Sequence, residues 1–271
     1  MPARLHHERI ARSDTSPASW LALTHGIYGA GSNWRSIARK VNDRRPEWGV
    51  VLVDLRQHGR SEPGDPPHTI AACADDLRAL IATLGAELGQ VRAIAGHSFG
   101  GKVVLAARSL VAVAQTWVLD ASPSRRDPGH DRQNVVVRVL ELMEHLPRRW
   151  AQREDFVDAV VADGLDVGLA RWLAMNVVPD PAGDLVLRLD LAALHAMLDD
   201  YYATDLWDAL EAPGGDVEIV IAERSPVLGA PERGRLAAAP PHVHVHTIDA
   251  GHWLHIDAPA AVVDLFAAHL P

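Results

Sequence analysis

The chain has 271 residues, of which 48% are hydrophobic and 23% are charged, and its formal net charge is −9. This size and composition are typical of a globular protein with ample apolar surface to bury. The negative charge argues against a nucleic-acid partner, because phosphates require a basic surface, and it gives no support for binding to acidic membranes.

The cysteine content and the start of the chain give no indication of an oxidising compartment. Cys73 is the only cysteine, so an intrachain disulfide is excluded, and its amphipathic helical surroundings predict a packing role. The start of the chain, MPARLHHERIARSD, lacks the apolar core of a signal peptide. No stretch has the roughly 18 apolar residues of a membrane span. We therefore expect a cytoplasmic protein without membrane association.

Short aliphatic runs alternate with helical patterns along most of the chain. The runs that predict strands are WLALTH (20–25), GVVLVDL (49–55), VRAIAG (91–96), TWVLDA (116–121), VEIVIA (217–222) and HVHVHTID (242–249). Helical patterns between them include NWRSIARKVNDR, the segment around Cys73 and GGKVVLAARSLVAVA. This alternation predicts an α/β fold with a mostly parallel sheet flanked by helices. The first twenty residues are expected to add one or two short antiparallel strands.

Residues 124–205 break this alternation. They contain helix-like segments such as NVVVRVLELMEHL and LDLAALHAMLDDYY and no convincing strand. A helical insertion after a sheet strand predicts a cap, or lid, over the carboxyl end of the sheet, where ligands bind in such folds. The core would then consist of residues 1–123 and 206–271. The alternative is a helical accessory layer with no role in ligand binding.

The segment AGHSFGGK, residues 95–102, contains the pattern G-x-S-x-G around Ser98. In such a motif the serine lies on a sharp strand-to-helix turn, and the flanking positions must be small to avoid collisions. The aliphatic run before the motif and the helical pattern after it provide the required context. Ser98 is therefore predicted to be a nucleophile rather than a serine in an ordinary glycine-rich turn.

A serine nucleophile needs a base, and the base needs an orienting carboxylate. Near the end of the chain, IDAGHWLHID places His252 directly after the last predicted strand, with His255 as its close rival. His252 is the predicted base, because a loop at Gly251 can bring it back to the turn that holds Ser98. The order serine, acid, histidine is the one expected for such a fold.

The acid is the most open role. The turn after the penultimate strand, in VEIVIAERSPV, contains no aspartate and offers Glu223 and Ser225. One strand earlier, TWVLDASP places Asp120 at a carboxyl end. We predict Asp120 as the acid, with Ser225 as an additional hydrogen-bonding partner. Glu223 as the acid, and a purely structural Asp120, are the alternatives.

An oxyanion hole requires two backbone donors aimed at the developing charge. The N–H of Phe99, directly after the nucleophile, is one candidate. The loop THGIYGAGSNW follows the first predicted parallel strand, and Gly26 would allow a tight turn that leaves the N–H of Ile27 pointing inward.

Four segments together resemble the α/β-hydrolase superfamily: THGIYGAGSNWRSIARKV, VVLVDLRQHGRSEPG, AGHSFGGKVVL and GHWLHID. LDASP and ERSP are similar to its small acyl esterases and thioesterases, in the branch whose acid follows strand six of the family fold. The resemblance implies an α/β-hydrolase fold with an inserted helical cap. It also implies a serine hydrolase that forms an acyl-enzyme and needs no cofactor. The residues implied are Ser98, His252, Asp120 and Ser225 as the catalytic set, and Ile27 and Phe99 as oxyanion donors.

The expected partner is a small-molecule carboxylic ester or thioester. The same groups also serve cofactor-free lyases, C–C bond hydrolases and perhydrolase-type haloperoxidases, because a fold does not determine a reaction. A rival from another class is a ligand-binding receptor that retains the triad without turnover. The predicted lining of the apolar substrate pocket is Trp34, Trp172, Met175, Tyr201 and Trp253.

Other polar patterns are given structural interpretations. HVHVH sets three histidines on one face of a strand, but residues two apart lie about 7 Å apart, too far for three in a row to close on one metal ion. No metal site is therefore predicted. His58 in DLRQHGRSE is interpreted as part of a turn, and Arg56 as a solvated surface charge.

Overall fold

A computed structural model of the protein describes residues 1–14, 16–126 and 135–271. In chain order its strands are β1 His7–Ile10, β2 Ser19–Thr24, β3 Trp48–Val53, β4 Gln90–His97, β5 Gln115–Leu119, β6 Arg149–Trp150, β7 Val177–Pro179, β8 Leu185–Leu187, β9 Asp216–Ala222 and β10 Val243–Ile248. The helices are α1 Arg35–Arg44, α2 Ile70–Leu88, α3 Phe99–Ala107, α4 Val135–His145, α5 Arg153–Ala162, α6 Val167–Leu173, α7 Leu191–Ala203, α8 Trp207–Glu211, α9 Ala230–Leu236, α10 Leu254–Asp257 and α11 Pro259–His269. Short 3-10 helices cover Gly31–Trp34 and Ala174–Asn176.

The main sheet has the spatial order β1-β3-β2-β4-β5-β9-β10 within the described residues. Its strands pair in parallel except β1, which adds to the β3 edge in antiparallel orientation. Every residue of β2, β3 and β5 is buried. Continuous aliphatic runs form such strands because helices cover both faces of a parallel sheet. The predicted α/β class, with a mostly parallel sheet flanked by helices, is confirmed.

Two apolar clusters lie on the two faces of the sheet. One joins the sheet to α1 and α11 through residues such as Ile37 and Phe266. The other joins it to α2 and α3 and includes Cys73, which is buried and unpaired, as its predicted packing role requires. None of the helices in the described ranges is both long and apolar enough to cross a membrane.

The insertion between β5 and β9 contains α4, α5, α6 and α7, and it also contains strands. β6, β8 and β7 form a small antiparallel sheet, in that order. The expectation of no strand in residues 124–205 was therefore wrong. Strands of two or three residues are too short to show an alternating pattern, and their pairing partners lie far apart in sequence.

Arg56 is buried, so the expectation that its charge is solvated at the surface was wrong. Its guanidinium donates to both carboxylate oxygens of Asp76 on α2, at 2.6 and 2.8 Å, and to the carbonyl oxygens of Asp65 and Pro67. A buried charge needs a partner of opposite sign in this kind of bidentate geometry. The pair fastens the loop after β3 to α2.

The carboxyl ends of β2, β4, β5, β9 and β10 lie at one edge of the sheet, because these strands are parallel neighbours. The loops that follow β2, β4, β5 and β10 carry the predicted oxyanion donor, nucleophile, acid and base. Ligands bind at this edge in open α/β sheets.

Candidate active site

Ser98 lies between the last residue of β4 and the first residue of α3, with a positive φ of 53°. Such a backbone conformation is strained for a residue with a side chain, and strained residues of this kind cluster at functional sites. The flanking glycines are required sterically. A Cβ at position 96 would lie 2.0 Å from the carbonyl oxygen of Gly100, and a Cβ at position 100 would lie 2.5 Å from that of His25.

The structure brings Ser98, His252 and Asp120 together in one chain of hydrogen bonds. The Ser98 hydroxyl is 3.0 Å from His252 Nε2, and His252 Nδ1 donates to Asp120 Oδ2 at 2.7 Å. The Asp120 carboxylate is fully buried. With Nδ1 bound to the carboxylate, Nε2 is left to accept the serine proton.

The backbone holds the Asp120 carboxylate in place. Asp120 directly follows β5 and has a positive φ of 46°. Its N–H donates to the carbonyl oxygen of Val220, and its Oδ1 accepts the N–H of Ala222 at 3.2 Å. Both partners belong to β9, which lies between β5 and β10 in the sheet. Because β5, β9 and β10 are neighbours in this order, Asp120 at the end of β5 lies within hydrogen-bond distance of His252 after β10.

The two other candidates near the acid have different surroundings. Glu223 is exposed, and its N–H pairs with the carbonyl oxygen of Ile248. Ser225 is buried, but its hydroxyl accepts the N–H of Val227, and within the described residues it makes no hydrogen bond to Asp120 or His252. The additional hydrogen bond expected from Ser225 to the acid or the base is thus absent among the described residues. The N–H of Ala222 contacts the carboxylate instead.

Ile27 and Phe99 both line the cavity at Ser98. Neither backbone N–H donates to another group in the described part of the protein. Free backbone donors of this kind are what a developing oxyanion requires.

Two buried histidines hold the loops around these donors. His58 Nδ1 donates to the carbonyl oxygen of Arg56, while its Nε2 accepts the N–H of Tyr28. His25 Nε2 accepts the N–H of Leu55. Burial lowers the pKa of His58 to about 3 and also lowers the pKa of His25. Neutral rings with one donor and one acceptor nitrogen brace the loop after β2, so His58 has the structural role predicted for it.

Two cavities meet at Ser98 and His252. The smaller has a volume of about 30 Å³ and is lined in part by Trp34, Trp172 and Trp253. The larger has a volume of about 400 Å³ and is lined in part by Tyr201 and, again, Trp253. Four of the five predicted lining residues therefore lie at one or both cavities.

Met175 is the exception among the predicted lining residues. It is 48% exposed, and it borders a separate, more polar groove between the loop at Asn33 and the insertion. The prediction that Met175 lines the pocket is therefore corrected. Met175 lies in the 3-10 helix after α6, and the helical period of the sequence does not specify the direction of a residue at such a change of helix type.

His255, the rival base, lines the smaller cavity and packs against Trp34 with ring centroids 4.9 Å apart. It makes no hydrogen bond to Ser98, because His252 occupies that position. Burial, followed by the positive charge that His252 can carry, lowers the pKa of His255 to about 4.

Sequence reasoning missed Lys102, a buried residue of α3. Its ammonium donates to the carbonyl oxygens of Ser124, Tyr201 and Thr204 at 2.9, 2.6 and 2.6 Å. Burial lowers the pKa of Lys102 to about 8. These bonds join the nucleophile's helix to both ends of the insertion. The lysine in a segment otherwise made of small and aliphatic residues, GGKVVLA, was the available signal.

The three histidines in and just before β10 have separate partners. His246 Nε2 is 2.6 Å from Glu218 Oε2, His244 lies near Asp216, and His242 approaches the carbonyl oxygen of Leu210. In the described ranges no group of three or more metal-binding side chains converges.

A parallel sheet that presents a strained serine, a histidine and a buried carboxylate at one edge defines a class of α/β proteins built around a nucleophile elbow. The particular family follows from the sequence. The model of the alpha/beta hydrolase family matches residues 21–265, and the chain belongs to that family.

Known proteins similar to the chain include a lipase and an esterase. The sn-1-specific diacylglycerol lipase ABHD11 of Mus musculus is 27% identical over 277 residues, which cover 99% of this chain and 86% of the lipase. Esterase YbfF of Escherichia coli K12 is 28% identical over 264 residues, 92% of each chain. A solved marine microorganism esterase has the same fold, with a TM-score of 0.83 and 22% identity over 97% of this chain and 98% of that one.

Proposed function

We propose that the protein is a serine hydrolase that cleaves carboxylic esters through a covalent acyl-enzyme. The observation that carries the proposal is the chain of hydrogen bonds from Ser98 through His252 to buried Asp120. The similarity to proteins named as an esterase and a diacylglycerol lipase supports the same chemistry.

The first half of the reaction acylates Ser98. His252 Nε2 takes the hydroxyl proton while Ser98 Oγ attacks the carbonyl carbon, and Asp120 stabilises the imidazolium that forms. The N–H groups of Ile27 and Phe99 donate to the oxyanion. As the tetrahedral intermediate collapses, His252 returns its proton to the departing alkoxide, and the acyl group stays on Oγ.

The second half removes the acyl group with water. A water molecule attacks the acyl carbon through its oxygen while His252 Nε2 takes one of its protons. The N–H groups of Ile27 and Phe99 donate to the second oxyanion. Collapse releases the carboxylic acid, and the proton returns to Ser98 Oγ. Each oxyanion donor of this kind contributes roughly 3–4 kcal/mol. Side chains, backbone and water account for every proton and electron pair, so the proposal includes no cofactor.

Thioesters extend the proposal without a change in the machinery. A thiolate departs in place of an alkoxide, and the same nucleophile, base and oxyanion donors act.

The aromatic residues that line the cavities at Ser98 are proposed to contact the substrate: Trp34, Trp172, Tyr201 and Trp253. The insertion, residues 124–205, is proposed to act as the cap, because Val135 and Leu198 line the cavities from its side.

The test is hydrolysis of p-nitrophenyl esters and acyl thioesters of increasing chain length by the wild type and by Ser98→Ala. We expect wild-type turnover and its loss in the variant, together with labelling of the wild type by a fluorophosphonate. A labelled Ser98 without turnover of any ester or thioester would point to another reaction of the same nucleophile. Wild-type rates in Ser98→Ala would overturn the proposal.

A further inference from the structure

Two side chains at the smaller cavity have buried polar atoms without a partner. Trp172 Nε1 and both ring nitrogens of His255 are buried and have no hydrogen-bond partner in the described part of the chain. Buried polar groups in folded proteins are nearly always paired, because an unpaired one forfeits its bonds to water. Where such an unpaired group belongs to a residue that lines a cavity, a bound ligand can supply the missing partner.

Both residues line the same cavity as Ser98 and His252, and they approach it from different parts of the fold. Trp172 belongs to α6 of the insertion, whereas His255 belongs to α10 of the core. The insertion and the core therefore both contribute a side chain with unpaired polar atoms to the cavity beside Ser98. The cavity volume of about 30 Å³ has room for roughly two water-sized groups.

The three unpaired atoms define a hydrogen-bonding pattern. The indole N–H of Trp172 only donates. Because the His255 ring is neutral at neutral pH, one of its nitrogens donates and the other accepts. A hydroxyl group has both functions that this pattern requires: its oxygen accepts from the indole N–H of Trp172, and its proton is donated to the acceptor nitrogen of His255. An alkyl group of the same size would leave all three atoms unpaired.

We propose that this cavity is a binding site for a hydroxyl group of the substrate, with Trp172 and His255 as the residues that recognise it. The site selects esters that carry a hydroxyl a short distance from the reacting carbonyl. This inference rests on the proposed hydrolase function and specifies the class of its substrate.

The probes are two pairs of esters in which a hydroxyl replaces a methyl group of equal size. Ethyl 3-hydroxybutyrate against ethyl 3-methylbutyrate places the difference in the acyl part. 2-Hydroxyethyl butyrate against propyl butyrate places it in the alcohol part. For each pair, titration of released acid gives the ratio of kcat/KM for the hydroxyl member to that for the methyl member.

The variants remove the indole N–H of Trp172 and the ring nitrogens of His255 but retain an aromatic ring at each position. We expect Trp172→Phe and His255→Phe each to lower this ratio about tenfold or more for one of the two pairs. His255→Gln, which retains a donor and an acceptor, should lose less than His255→Phe. Trp150→Phe is the matched control, because the Trp150 Nε1 atom is equally buried and unpaired but does not line the cavity. It should leave the ratio unchanged.

The outcomes separate this inference from the proposed function. A loss in the first pair assigns the cavity to the acyl part, and a loss in the second assigns it to the alcohol part. Equal ratios in the wild type and in both Phe variants, for both pairs, would overturn the inference. Hydrolysis of simple p-nitrophenyl esters that depends on Ser98 would still support the hydrolase in that case.

Discussion

At the residue scale, the buried Asp120 carboxylate differs from its neighbours by what it contacts. It pairs with His252 Nδ1 and with a backbone N–H of β9, whereas Glu223 is exposed and Ser225 bonds within its own turn. A carboxylate in that position fixes the histidine tautomer and stabilises the imidazolium. The three residues should therefore contribute very unequally to catalysis.

Asp120→Asn should lower kcat for ester hydrolysis by about 10⁴-fold, since the amide favours the wrong histidine tautomer. Ser225→Ala should lower it by less than about tenfold, and Glu223→Gln should leave it unchanged. Steady-state kinetics on one p-nitrophenyl ester compares all three variants. If Glu223→Gln matched the loss in Asp120→Asn, the assignment of the acid would be wrong.

At the element scale, the strand-to-helix turn around Ser98 depends on two glycines with no room for a side chain. Gly96→Ala would place a methyl group 2.0 Å from a backbone carbonyl oxygen, so backbone must shift. We expect a loss of more than about 3 kcal/mol in the free energy of unfolding. Gly85→Ala on α2 is the control, because that Cβ meets nothing within 4 Å. It should stabilise the protein by up to about 1 kcal/mol. Urea unfolding measures both, and equal stabilities would contradict the steric argument.

The contact between α3 and the two ends of the insertion depends on Lys102. Removing the ammonium leaves three partly buried carbonyl acceptors, at Ser124, Tyr201 and Thr204, without this donor. Lys102→Met should therefore cost about 2–4 kcal/mol of unfolding free energy. The Lys102 ammonium also contacts the ring of Tyr201, which lines the larger cavity. Lys102→Met is therefore expected to raise the KM as well. Thermal unfolding and ester kinetics test the two effects, and wild-type values in both would contradict the tethering role.

At the scale of the whole molecule, stability should fall with acidification because buried histidines remain neutral in the folded state. Burial lowers the pKa of His58 to about 3 and of His255 to about 4, whereas an unfolded histidine titrates near its ordinary value of 6.5. Between pH 6.5 and about 4 the unfolded chain therefore binds protons that the folded chain does not. Each such histidine makes folding less favourable by about 1.4 kcal/mol for every unit the pH falls.

Unfolding free energies in urea at pH 7, 6 and 5 would reveal this dependence. We expect a loss from pH 7 to pH 5 in the wild type and a smaller loss in His255→Phe, which lacks one of the neutral rings. The slope of stability against pH counts the difference in bound protons directly. A stability that stays constant over this range would mean that these rings are protonated in the folded state.

The sequence alone predicted the features whose cause is local. Aliphatic runs alternating with helical periods indicated the α/β sheet, and the two glycines around Ser98 indicated a sharp turn, because backbone sterics act over a few residues. Only the tertiary structure decided which carboxylate lies at His252, that Arg56 is buried against Asp76, and that the insertion contains a small sheet. Each of these depends on strand order and on pairing between distant residues. Asp120 and His252 are 132 residues apart in sequence and meet only because β5, β9 and β10 are neighbours in the sheet.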